Sequence, residues 1–223
     1  MQLRTLSIHS GFLPIIIFLL FLNRNKENKL WVIFLYVALS LVTDYSYDII
    51  NHITGDEKKT NFYVSSCFTI IEFTLCTLFI FYNINARSLK NIVLICSGLF
   101  FPVSVFNLFQ KGIADFDSLT ASVECILIIF FSILFLYDQI REPELVFIYT
   151  SKKFWIIVAV LLYLSSTLFL FMYAAEFTKR EKNYYWSINF TFNILKNLLF
   201  AVAFLLKKDS LLKRSFMKNE YNF

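Results

Sequence analysis

The stretch YYWSINFTFNILKNLLFAVAFLL, residues 184–206, is apolar enough for a membrane helix, yet it carries Lys196 near its midpoint. A helix of about 20 apolar residues spans the roughly 30 Å hydrocarbon core, which puts Lys196 close to the bilayer centre. An unpaired Lys there costs about 2.5–3.5 kcal/mol on insertion scales, so it has to face the protein interior and meet a partner. Asn189, Asn193, Lys196 and Asn197 recur at i, i+4, i+7 and i+8 and share one helical face. A polar stripe inside lipid needs other helices to receive it, and the rest of the chain supplies them.

Six more runs of the same kind lie at 6–22, 30–50, 62–82, 89–109, 118–137 and 154–173. With 58% hydrophobic and 19% aromatic residues, four Gly, three Pro and a mean hydropathy of +0.63, the composition is far from that of a soluble domain. The expectation is an all-α, polytopic membrane bundle of seven transmembrane helices at 1–206, with a basic tail at 207–223 and the lipid bilayer as its first partner. The connections are too short for a folded extramembrane enzyme. The first run follows Arg4, contains Pro14 and lacks a small-residue cleavage site after it, so it reads as a retained anchor. Pro14 is expected to kink it, and Gly98 with Pro102 to bend the fourth.

Roughly twice as many Lys and Arg flank the spans on the side of Arg24, Lys29, Lys90, Lys153 and the tail as on the side of Arg4, Lys58 and Lys179. The positive-inside rule then places the N-terminus outside and the C-terminus in the cytoplasm, in the cell's cytoplasmic membrane. Lys152 and Lys153, after the apolar segment 145–149, are expected to lie against headgroups, and the tail to sit on anionic lipid or a docking partner. Acids interleave the basic residues and no nucleic-acid motif is present, which excludes DNA or RNA as a partner. Cys67, Cys76, Cys96 and Cys125 all fall inside spans at spacings that suit neither disulfides nor zinc.

The second span carries Ser40, Asp44, Tyr47, Asp48 and Asn51 at i, i+4, i+7, i+8 and i+11, and the third carries Ser65, Thr69, Glu72 and Cys76 on one face. Glu72 and Lys196 lie on helices of the same direction at depths differing by about 3 Å, so they are the expected ion pair. Glu124, one turn after Thr120 in the fifth span, is a fourth intramembrane acid. The first span offers no polar lining of note. Asp44, Asp48, Glu72, Glu124, Asn189, Asn193 and Lys196 form the candidate ligand-binding or buried polar network. One reading is a set of interhelical contacts that hold the bundle together. The other is an outward-facing polar cavity that binds a small or cationic ligand or relays protons.

Enzymatic readings find less support. Seven-helix metal hydrolases of the ceramidase and adiponectin-receptor type need three converging His, and only His9 and His52 exist. An intramembrane lipid hydrolase of the lysoplasmalogenase kind can draw only on the acids themselves. Microbial opsins share the seven-helix layout and a Lys in the last span, but they place an Asp one turn before it, where this chain has neither that Asp nor the matching sixth-span motif. No catalytic set, metal or cofactor is expected.

Ile71-Glu72-Phe73, Phe154-Trp155-Ile156 with Leu162-Tyr163, and Asn189 with Asn193 resemble small uncharacterised bacterial seven-helix membrane proteins. The resemblance implies a membrane sensing unit that works with a separate cytoplasmic kinase, with Glu72, Trp155 and the Asn pair as residues to test. Lys196 lies outside that pattern. The chain therefore reads as a sensory or ligand-binding module signalling to a cytoplasmic partner or a second copy. A small transporter or proton-coupled channel, a lipid hydrolase and a structural assembly subunit stand as alternatives.

Overall fold

The computed structural model describes residues 2–55, 57–110, 117–141, 148–173 and 176–206. Regular structure among them is entirely helical: α1 (Gln2–Ser10), α2 (Phe12–Leu20), α3 (Asn28–Thr54), α4 (Glu57–Asn83), α5 (Arg87–Gln110), α6 (Ser118–Ile140), α7 (Lys152–Tyr173) and α8 (Lys179–Leu205). With α1 and α2 sharing the first span, seven helical segments are long and apolar enough to cross a membrane. This is the make-up of a multi-pass membrane protein, since a helix is the form in which a chain segment satisfies its own backbone groups in lipid. The basic tail at 207–223 lies outside the described residues.

Three helices extend furthest beyond their apolar runs. α3, α4 and α8 each extend to 27 residues, because their polar end turns contain no Gly or Pro to stop them. α3 ends where Gly55 takes the left-handed conformation at φ 65°, which suits a residue without a Cβ just past a helix end. α8 begins at a reciprocal cap: the Glu181 amide donates to Thr178 Oγ1 at 3.4 Å, and the Thr178 amide donates to the Glu181 carboxylate at 2.9 Å.

Pro14 acts upstream of itself. Lacking an N–H, it leaves the Ser10 carbonyl without its helical partner, and the helix is interrupted there, between α1 and α2. The Gly11 amide instead donates to Ile8 O at 3.1 Å, and Ser10 Oγ donates to Ser7 O at 2.6 Å. A Cβ on Gly11 would stand 3.1 Å from Leu41 Cδ1 and 3.3 Å from Ile8 O, so the missing side chain lets the first span close on α3. α5, by contrast, is assigned as one helix through Pro102.

Helix packing closes a ring. α2 packs on α3, α3 on α4, α4 on α6, α6 on α7, α7 on α8, and α1 and α2 on α8, with α5 applied outside against α4 and α6. Accordingly, 50% of the third span is buried and only 17% of the fourth. Phe73 of α4 docks α5 by stacking on Phe100 at 3.9 Å between ring centroids, while Phe18 joins Phe34 and Phe204 at 4.5 and 5.0 Å where α2, α3 and α8 meet. Leu94, Ile95, Leu99 and Phe106 of α5 point outward and are exposed, as a lipid-facing surface requires.

Polar ties close the end of the bundle that carries Arg24, Asn85 and Ser151, called here the basic end. Asp138 of α6 accepts from the Asn85 and Ala86 amides at 2.6 and 3.2 Å, capping α5 from a neighbouring helix. Lys152 departs from the headgroup position expected of it. It is buried and donates to Asn25 Oδ1 at 2.6 Å and Arg24 O at 2.9 Å, while Asn25 Nδ2 donates to Phe204 O at 3.2 Å. Turned inward, the lysine satisfies the side-chain acceptor of the buried Asn25 and the backbone carbonyl before it.

Two measurements check these local arguments. Gly11→Val should lower the thermal midpoint in detergent, whereas Gly98→Ala, where an added Cβ meets nothing within 4 Å, should leave it unchanged or raise it, since helix propensity favours Ala by up to about 1 kcal/mol. Equal effects would contradict the close approach at Gly11. Hydrogen bonds from Thr178 hold the Glu181 carboxyl below its ordinary value, so its contribution is present above the unfolded pKa and lost as pH falls through the folded one. The protection factor of the Thr178 amide, its exchange rate relative to the intrinsic rate at each pH, should therefore be larger at neutral pH than in acid, and a flat profile would mean that the cap is not formed.

Candidate functional site

The ring of helices leaves α4 and α8 facing each other across the interior rather than side by side, and Tyr36 of α3 fills the space between them. Its hydroxyl donates to Glu72 Oε1 at 2.6 Å and accepts from Lys196 Nζ at 2.8 Å. The expected direct ion pair is thus a bridged one: Lys196, Tyr36 and Glu72 form a chain of two hydrogen bonds through one phenol oxygen. The phenol oxygen stands between the carboxylate and the ammonium, which remain within electrostatic reach of each other. All three side chains are buried, at 3%, 1% and 5% exposure, so no bulk water shares the charges.

Aromatic rings complete the setting of the ammonium. Lys196 Nζ lies 4.2 Å from the Tyr163 ring centroid and 5.0 Å from that of Tyr36, within cation–π range. Tyr163 of α7 is held in turn by its hydroxyl, which donates to Asn189 Oδ1 at 3.1 Å. Phe200, one turn below Lys196, meets the Tyr36 ring edge-on at 5.9 Å between centroids and seals the chain on that side.

Each residue of the expected network has its own place. Asp44, half-buried on α3, lies close enough to act electrostatically on both Lys196 and Tyr163. Asp48 lies on α3, with its side chain outside the described residues. Glu124 of α6 is buried beside the Phe73 backbone and within the electrostatic reach of Glu72, and its Oε1 has no hydrogen-bond partner. Asn189 orients Tyr163, as described above. Asn193 faces the first span, where its Nδ2 donates to Ser7 Oγ at 2.9 Å, and Asn197 Nδ2 donates to Ser10 Oγ at 2.8 Å.

The α8 stripe therefore serves two neighbours. Residues 189, 193, 196 and 197 spread over about 100° at 3.6 residues per turn, which is wide enough for Lys196 and Asn189 to turn toward α3 and α7 while Asn193 and Asn197 turn toward α1. Reading the first span as lacking a polar lining missed Ser7 and Ser10, although Ser7, Ser10 and Gly11 at i, i+3 and i+4 form a small-residue face of the kind that lets membrane helices approach. Tyr36 was missed too. It stands one turn before Ser40 and extends the Ser40–Asp44–Asp48 stripe inward, a signal hidden because Tyr also suits a plain apolar position.

A shallow depression lined by Gln2, Thr5, Leu6 and His9 opens on α1 and shares no residue with this chain of groups. Comparisons with protein-family models, with curated proteins and with solved structures each found no match.

Removing the bridging hydroxyl should be costly. Tyr36→Phe leaves the Glu72 carboxylate and the Lys196 ammonium without their common partner and should lower stability by about 1–3 kcal/mol in nanodisc unfolding. Tyr163→Phe loses one hydrogen bond to a part-buried Asn and should cost about 1 kcal/mol or less. A neutral Tyr36→Phe would show that the phenol does not join the two charges.

Proposed function

We propose that this chain is an integral membrane sensory or ligand-binding module whose switch is the Lys196–Tyr36–Glu72 chain. The observation that carries the reading is that ionisable groups from three spans are joined through a single hydroxyl in a space closed to bulk water. A phenol has one proton to give, and here it goes to Glu72 while the oxygen accepts from Lys196. A proton or small cation reaching Glu72 removes the charge that this hydrogen bond answers and leaves Lys196 without its bridged counter-charge. Breaking one partner of a buried charged set costs several kcal/mol, enough to favour a different arrangement of α3, α4 and α8.

In this proposal the end bearing Gln2 faces outside and the basic end faces the cytoplasm, in keeping with the Lys and Arg bias. The signal would enter through the polar outer half of the bundle, past Asp44, and leave through the basic end to a cytoplasmic partner or a second copy. A proton-coupled transporter is the second reading, favoured by Glu124: a buried acid with an unpartnered oxygen beside Glu72 is placed to take up a proton that Glu72 releases.

A double-mutant cycle tests the switch. Glu72→Gln and Lys196→Met should be coupled by more than about 1 kcal/mol in nanodiscs, and the coupling should collapse in the Tyr36→Phe background. Additivity in the native background would remove the switch and leave the polar groups as scaffold contacts. Liposomes under a pH gradient separate the two readings. The sensor predicts a change in spin-label distance between α4 and α8 without proton flux, and the transporter predicts flux that Glu124→Gln abolishes.

A further inference from the structure

At the basic end, Lys90 and Lys153 come within electrostatic reach of Lys29, from which both are remote in sequence. Lys29 Nζ donates to Tyr82 O at 2.6 Å, and Lys90 Nζ lies 5.4 Å from the ring centroid of the adjacent Phe81, so both converge on the last turn of α4. Lys153 follows Lys152, whose bonds to Arg24 and Asn25 bring the start of α7 against the segment that leads into α3. Lys90 and Lys153 both stand close enough to Lys29 to repel it. All three side chains are half-buried.

This gathering runs against what the helices alone would favour. Lys29, Lys90 and Lys153 lie in the first turns of α3, α5 and α7, none of which has an acidic residue there. Helix starts already carry positive partial charge and are stabilised by anions, so three such starts with three lysines form an electropositive focus. Among the described acids of this end, Asp138 accepts from the two backbone amides just before α5, and Glu27 stands close enough to Lys29 to attract it. The positive-inside rule accounts for lysines at this end but not for their convergence, which mutual repulsion opposes.

Exposed Trp31, Tyr82 and Tyr149 ring the same end and mark the level at which lipid headgroups lie. We propose that Lys29, Lys90 and Lys153 form a site for the phosphate of an anionic phospholipid. The phosphate would sit among the three helix starts, and its acyl chains would run down the exposed apolar faces beneath the aromatic belt. The chemistry recognised is a phosphate oxyanion, and the half-buried, belt-level position selects the lipid over the free ion.

The test uses the full chain in nanodiscs, with bound lipid read by native mass spectrometry as phosphatidylglycerol replaces phosphatidylcholine. The wild-type protein should retain phosphatidylglycerol selectively. Lys29→Gln, Lys90→Gln and Lys153→Gln should each weaken retention about fivefold, the effect of one basic group near a charged surface. Arg141→Gln, an equal charge change at an exposed position of the same end, should have little effect, and Lys29→Arg should keep binding. Equal losses in all glutamine variants, Arg141→Gln included, would reduce the site to diffuse charge and overturn the proposal. So would wild-type protein that shows no preference for the anionic lipid, a result that needs no variant to fold. Inorganic phosphate displacing phosphatidylglycerol at millimolar concentration would assign the site to the free ion instead.

Discussion

An ammonium group in hydrocarbon has to be answered by other groups, and much of this bundle's interior is the answer to Lys196. Its counter-charge comes from α4, its bridging hydroxyl from α3 and its nearest aromatic face from α7. Four helices are thereby committed to one point. In a medium where apolar packing alone gives weak specificity, because lipid tails are as apolar as the side chains, such a point sets register and rotation for every helix that reaches it. The Asn193–Ser7 and Asn197–Ser10 bonds add the first span to the same face of α8. The break at Gly11 allows that span to come close enough to make them.

The interior is graded along its length. Aromatic stacking around Phe18 and around Phe73 packs the bundle on either side of the charged chain, and side-chain to backbone bonds from Asn25, Lys152 and Asp138 close the basic end. Rigid packing surrounds a single polar line, which is the arrangement in which a change of one proton has a structural consequence rather than being absorbed by solvent. Among the described residues, six buried side-chain oxygens lack a hydrogen-bond partner, and Glu124 Oε1 is the one of them that belongs to an acid. Buried acids of that kind are costly inside a membrane.

The two ends of the molecule carry different chemistry. The charged chain sits in the span interior, while the basic end gathers Lys29, Lys90 and Lys153. An anionic lipid bound there would brace the starts of α3, α5 and α7. Of these, α3 supplies Tyr36, so the lipid surface and the bridging phenol share one helix.

What the sequence by itself determined is the number and placement of the spans, because apolar length against a fixed hydrocarbon thickness is a one-dimensional property. It also determined that Lys196, Glu72 and Glu124 must face inward, since desolvation cost depends on residue type and depth alone. Helix ends ran beyond expectation because polar turns without Gly or Pro continue a helix, and Pro14 broke the chain a turn before itself because its missing donor acts on the Ser10 carbonyl. Only the tertiary structure decided which inward-facing groups meet. α4 and α8 stand across the ring, so a tyrosine rather than contact joins their charges, and Ser7, Ser10 and Tyr36 gain their roles from neighbours more than 30 residues away. Lys152 turned inward while Lys153 stayed with Lys29 and Lys90 for the same reason: pairing partners are set by the angular order of helices, which hydropathy along a chain does not encode.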